Sequence, residues 1–131
     1  MNFTKENNMD TKELLIQLLL EKHTQTEKRE AHLESEHVGK ICMVRTFSAG
    51  VFYGLLEKKV GKEGLVRNAR RVWYWQGAAS LSQLATDGTT KPSECKFPCA
   101  VDSVELSEII ETIPMTDAAI ASLNGIPIWT K

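Results

Sequence analysis

The sequence has 131 residues, with 16 Lys and Arg against 17 Asp and Glu and a formal net charge of −1. That length accommodates one domain of ordinary size. The apolar fraction of 42% and charged fraction of 25% lie near the globular average. Together these values exclude a disordered acidic tail, a collagen-like fibre and a disulfide knot. A charge near zero also excludes a general duplex-coating protein, which is basic throughout.

In chain order, Asp10 and Glu13 match a capping box: the first side chain accepts from early helical amides and the second reaches back. A long helix is predicted from about Thr11 to about Glu34. Its first half is apolar on a broad face (Leu14, Leu15, Ile16, Leu18, Leu19, Leu20), and its second half is polar except for Ala31 and Leu33. A helix of that kind buries its apolar half against a sheet or a second subunit. Residues 1–38 are therefore expected to form an oligomerisation element, and residues 39–131 a β-rich domain. The apolar run is far shorter than the roughly 20 residues a membrane span needs. Glu21-Lys22-His23 follow it where a signal peptide would place small residues.

From Gly39 the period changes. Lys40–Phe47 reads as a strand, Ser48-Ala49-Gly50 as a turn, Val51–Val60 as a strand, Gly61–Gly64 as a tight turn and Leu65–Gln76 as a third strand. Gly77-Ala78-Ala79 breaks it, and Ser80 with Gln83 opens a short helix ending near Asp87-Gly88. Thr89–Glu94 is loop, and Lys96–Val101 a short edge strand because of Pro98. Val104–Ile113 is a further strand closed by Pro114. Thr116 or Asp117 caps a helix to Leu123, which Asn124-Gly125 stops. The predicted fold class is α+β: a long N-terminal helix, then an antiparallel β-meander or small barrel with two short helices.

The near-neutral total hides an uneven distribution. Residues 1–39 balance to −3, residues 40–77 to +6 and residues 78–131 to −4. The flanks either neutralise the basic meander within the fold, or leave a focused basic site that concentrates phosphate-bearing ligands. Arg67-Asn68-Ala69-Arg70-Arg71-Val72-Trp73-Tyr74-Trp75 is the most informative stretch. Strand alternation places Arg67, Ala69, Arg71, Trp73 and Trp75 on one face, and Asn68, Arg70, Val72 and Tyr74 on the other. Arg forks bind phosphate, aromatic planes stack on bases, and Asn reads a base edge or ribose. The competing expectation is that the Trp residues fill the core with Arg as cation–π caps. The step from Gly77 to Ser80 adds a helix N-terminus, which favours anions. The candidate ligand-binding residues are Arg45, Asn68, Arg70, Arg71, Trp73, Tyr74, Trp75 and Ser80.

His23, His32 and His37 fall on different helical faces, and Cys95 and Cys99 have no second pair beside them. No metal, cofactor or catalytic residue is therefore expected, and a binding protein is favoured over an enzyme. Three cysteines, an odd number, read as reduced thiols of a cytoplasmic protein.

The motifs Val44-Arg45-Thr46-Phe47-Ser48-Ala49-Gly50-Val51, Asn68 through Trp75, Gly77-Ala78 and Leu81-Ser82-Gln83-Leu84-Ala85 resemble a family of small uncharacterised phage and prophage proteins. The resemblance covers about residues 40–129 and implies a phage origin and a host bacterial cytoplasm; it transfers no site residues. At the level of architecture, the chain is similar to phage anti-defence sponge proteins, small oligomers that hold a nucleotide immune signal. The expected function is thus sequestration of a phosphate-bearing nucleotide by a homo-oligomer with no membrane role. The alternatives are a nucleic-acid-binding accessory protein, or a protein inhibitor of a host enzyme acting by surface contact.

Overall fold

The structure, a computed structural model, describes residues 11–20 and 35–131. The chain divides into two units, residues 1–33 and 34–131. In the first, residues 11–20 are helical, and Leu14, Leu15, Ile16, Leu18, Leu19 and Leu20 are exposed. The rest of the expected long helix lies outside the described residues.

The second unit is α+β. Its strands are β1 (Ile41–Thr46), β2 (Val51–Val60), β3 (Glu63–Arg71), β4 (Val101–Leu106) and β5 (Ile109–Pro114). Its helices are α1 (Leu81–Asp87) and α2 (Asp117–Asn124), with a 3-10 turn at Pro92–Glu94 in the expected loop. The sheet is antiparallel with order β4-β3-β2-β1-β5. It is open: no ladder joins β4 to β5, so of the expected meander or small barrel the barrel is corrected. The single strand expected over Val104–Ile113 is two strands on opposite edges, separated only by Ser107 and Glu108. Three residue steps span at most about 11 Å, whereas four flat strand spacings need about 19 Å. The sheet is therefore strongly curled. The Ile109 amide marks the near-approach, donating to the Lys62 carbonyl in the β2–β3 turn at 2.9 Å.

Curling creates two cores from the alternation of each strand. Cys42, Val44, Phe52, Leu56, Val66, Ala69, Leu106 and Ile109 fill one. Met43 and Tyr53, pointing the other way, join Val72, Leu84, Ala85, Cys95, Phe97, Leu123 and Ile126 beneath the two helices. Both helices start on side-chain caps: the Gln83 amide donates to Ser80 Oγ and the Ala119 amide to Thr116 Oγ1, each at 3.1 Å.

The third strand ends at Arg71, five residues before the expected Gln76, and it carries a bulge. Tyr53 faces Arg70 and Leu55 faces Arg67, so Gly54 on β2 stands against both Asn68 and Ala69. Asn68 takes φ +49°, a left-handed conformation that Asn tolerates better than most residues. A Cβ on Gly54 would sit 2.6 Å from the Arg67 carbonyl oxygen, so the residue opposite the bulge has no room for a side chain.

Two outcomes follow for this fold. Gly54→Ala lowers the unfolding free energy in urea by about 2 kcal/mol or more, while Asn68→Gly, which suits the same φ, changes it by less than about 1 kcal/mol. Burial pushes the Cys42 thiol up to about 11 despite the opposing pull of Lys40. The folded state then holds a proton that the unfolded chain releases near pH 9. The contribution is complete below pH 9 and fades as pH rises through about 11, by up to roughly 2–3 kcal/mol. The stability difference between the wild-type chain and Cys42→Ala should narrow across that window.

Candidate functional site

Arg70 is 7% exposed. Its Nε donates to the Pro98 carbonyl at 2.9 Å and Nη1 to the Leu123 carbonyl at 3.0 Å. Nη2 donates to the carbonyls of Phe97, Ile126 and Pro127 at 3.1, 2.9 and 3.2 Å. The guanidinium also lies 5.4 Å from the Phe97 ring centroid. Leu123 is in the last turn of α2, whose orphan carbonyls carry the negative end of the helix dipole. Carbonyl dipoles, with no carboxylate among the described residues, thus compensate this charge, and the remaining Nη1 hydrogen reaches the Tyr53 hydroxyl at 3.5 Å, so every N–H group is engaged. Arg70 ties together β3, the 97–98 segment, α2 and the tail.

The other predicted residues are dispersed. Arg45 pairs with Glu111 of β5 at 3.3 Å. Arg71 lies 4.3 Å over the Phe52 ring and donates to the Ala49 carbonyl, clamping the β1–β2 turn. Trp75 is half-buried against the second core, its Nε1 donating to the Ala78 carbonyl at 3.3 Å. Ser80 is occupied as the cap of α1, and Gln83 Oε1 accepts from the Ala79 amide at 2.7 Å. Asn68 opens onto a groove of about 330 Å³ whose lining includes Ile41, Leu55, Ile120, Asn124 and Ile128. There Tyr53 donates its hydroxyl to Asn124 Oδ1 at 3.0 Å.

Trp73 and Tyr74 remain on the surface, and the structure gives them two neighbours that sequence reasoning missed. Val72 makes the last ladder contact, its amide donating to the Val51 carbonyl at 2.8 Å. The chain then leaves the sheet and Tyr74 bridges to Lys96, while Phe97 bridges to Ile128. This small ribbon places Trp129 beside Trp73. The two indoles are 7° from parallel with centroids 6.4 Å apart. Trp73 is 63% exposed, Tyr74 42% and Trp129 41%. The Lys96 ammonium lies 5.6 Å from the Tyr74 ring and 5.9 Å from the Trp129 ring. The available signal was the terminal Ile126-Pro127-Ile128-Trp129 run, apolar yet unable to extend a helix past Gly125, which needs another segment to pair with.

Charge neutralisation explains part of the basic middle segment. Arg67 contacts Glu57 at 2.7 Å and Asp102 at 3.9 Å, and Arg45 takes Glu111 from the acidic C-terminal stretch. No cluster of His, Cys, Asp and Glu among the described residues is placed to hold a metal ion. None of the described helices is long and apolar enough to cross a membrane.

A curled, open antiparallel sheet, backed by two short helices and braced by one interior arginine, defines a small α+β domain with an exposed aromatic face. The chain belongs to the family described as domain of unknown function DUF6948, whose model matches residues 39–123. No curated protein and no solved structure matches it.

Replacing Arg70 by Met removes every donor from the carbonyl cage at nearly constant volume. Chemical denaturation should show a loss of about 3 kcal/mol or more, with Arg70→Lys recovering only part because an ammonium cannot span the cage. Equal stability of wild type and Arg70→Met would overturn the structural role.

Proposed function

We propose that this domain is a non-catalytic binding protein for a small, phosphate-bearing nucleotide. In this reading it is a phage-encoded oligomeric sponge that sequesters a nucleotide immune signal in the host cytoplasm. The carrying observation is the exposed, near-parallel Trp73–Trp129 pair with the Lys96 ammonium 5.9 Å from the Trp129 ring centroid. Indole surface left in water has an unspent hydrophobic and stacking capacity, and a base laid on an aromatic side chain contributes about 1–3 kcal/mol. An adjacent cation adds attraction for phosphate. Metal-binding or peptide-hydrolysing chemistry would call for other side chains, whereas sequestration asks only for affinity. Of the residues expected from sequence, Trp73 and Tyr74 carry this reading. Arg70, Trp75 and Ser80 serve as scaffold.

A second reading, binding of single-stranded nucleic acid, is favoured by one feature: Lys58, Lys59 and Lys62 crowd the β2–β3 hairpin and have no carboxylate within 4.0 Å among the described residues. It differs in salt response, because each phosphate contacted on a polymer releases counterions and steepens the decline of affinity with salt.

Calorimetric titration with cyclic nucleotides, ADP-ribose derivatives and short oligonucleotides separates the two. The expected result is binding of a mononucleotide-sized ligand that Trp73→Ala weakens by about tenfold or more, equivalent to about 1.4 kcal/mol, with Arg45→Ala near wild type. Binding confined to oligonucleotides moves the assignment to the second reading, and unaltered affinity in Trp73→Ala removes the aromatic face from both.

A further inference from the structure

Resting on the nucleotide reading, we propose that the aromatic face takes one base and one phosphate. Trp73 and Trp129 stack the base, and Lys96 alone meets the phosphate, so the site accepts a nucleoside monophosphate or phosphodiester and gains nothing from a polyphosphate.

The geometry of the ribbon supports this division. The Lys96 amide donates to the Tyr74 carbonyl at 2.8 Å, the Tyr74 amide to the Lys96 carbonyl at 3.3 Å, and the Trp129 amide to the Phe97 carbonyl at 2.9 Å. Beneath it, Arg70 holds the carbonyls of Phe97, Pro98, Ile126 and Pro127. The backbones bearing Lys96 and Trp129 are thus fixed before any ligand arrives, which lowers the ordering cost of binding. Centroids 6.4 Å apart on near-parallel rings belong to the laterally offset range of aromatic pairs. The offset leaves part of each indole face uncovered, which is room for a single base.

The charges around this surface set the phosphate count. Lys96 is the cation in contact with the aromatic rings of the face. Arg70, directly beneath, has its N–H groups committed to carbonyls. Lys91, earlier on the same segment, pairs with Glu94 at 3.8 Å, and Arg71 is stacked on Phe52. A second and third phosphate would extend from Lys96 past these committed cations of the described residues. Lys131, two residues past Trp129, is the cation whose removal checks that count.

The test is intrinsic tryptophan fluorescence titrated with a nucleoside and its mono-, di- and triphosphates, in the adenine and uracil series, at constant ionic strength. The monophosphate is expected to bind about tenfold tighter than the nucleoside, the worth of one charge-assisted contact, with the triphosphate no tighter than the monophosphate. Lys96→Gln should bring the monophosphate to the level of the nucleoside and leave the nucleoside unchanged. Trp129→Ala should weaken every ligand, and Lys131→Gln none. Affinity that climbs with each added phosphate overturns the single-phosphate assignment while leaving the nucleotide reading intact. So does a monophosphate preference that survives Lys96→Gln. Failure of every nucleoside and nucleotide to bind overturns the nucleotide reading itself.

Discussion

The arrangement depends on a guanidinium buried with no counter-ion among the described residues. A charge in the interior is tolerable only when its hydrogen bonds are complete. Arg70 completes them with the Tyr53 hydroxyl and with main-chain carbonyls drawn from three places: the 97–98 segment, the C-terminal turn of α2 and the 126–127 tail. None of these is a sheet strand, and the 97–98 segment and tail are tied to their neighbours by isolated bridges instead of full ladders. The same contact therefore satisfies the charge and organises the irregular half of the domain. Because the carbonyls come from segments far apart in sequence, the cage forms only when β3, α2 and the tail are in place together, which makes their folding cooperative.

Arg70 reaches that cage because of the bulge two residues before it. Without an extra residue at Asn68, the alternation begun by Val66 in the core of Val44 and Phe52 would carry Ala69 toward the core beneath the helices and Arg70 away from it. With Asn68 in the left-handed region, Ala69 joins Val66 in that core and Arg70 turns to the side of the helices. Gly54 makes room for this across the ladder. The distinctive residues of β3 thus form one mechanical unit: a glycine that vacates space, an asparagine that absorbs the strain, and an arginine that the resulting register aims at the carbonyls.

The same unit explains what the sequence revealed and what it concealed. Local signals located most elements: the β-rich runs at Ile41–Thr46 and Val51–Val60, the caps at Ser80 and Thr116, and the stop at Asn124-Gly125 all stand where composition and capping chemistry place them. The α+β class follows from these. The sheet order, the two strands flanking Ser107-Glu108 and the curl depend on long-range pairing, which leaves no local mark in so short a connection. At the candidate site, strand alternation extrapolated through Asn68 assigned faces that the bulge reverses, and extrapolated past Arg71 it kept Trp73–Trp75 in a sheet they have left. Arg70 looked like a ligand-binding residue because exposed and cage-bound arginines are identical in sequence. Trp129 escaped notice because its partner lies 56 positions earlier.

The charge imbalance along the chain takes on a different meaning in the folded domain. Taken in isolation, the +6 of residues 40–77 describes a large anion-attracting surface. In three dimensions Arg45 and Arg67 meet Glu111 and Asp102 from the acidic C-terminal stretch, Arg70 is absorbed by carbonyls, and Arg71 covers Phe52. The four arginines of the segment are thus committed to structure, and the cations of that segment with no carboxylate partner among the described residues are its four lysines, on flexible stems. Positive charge is then diffuse over the meander, while the exposed aromatic planes held by backbone pairing lie elsewhere, at Trp73 and Trp129. That face lies on the ribbon which the Arg70 cage supports, so the arginine sets the position of the tail, and under the proposed function it would act on binding only through that position, without itself reaching the surface.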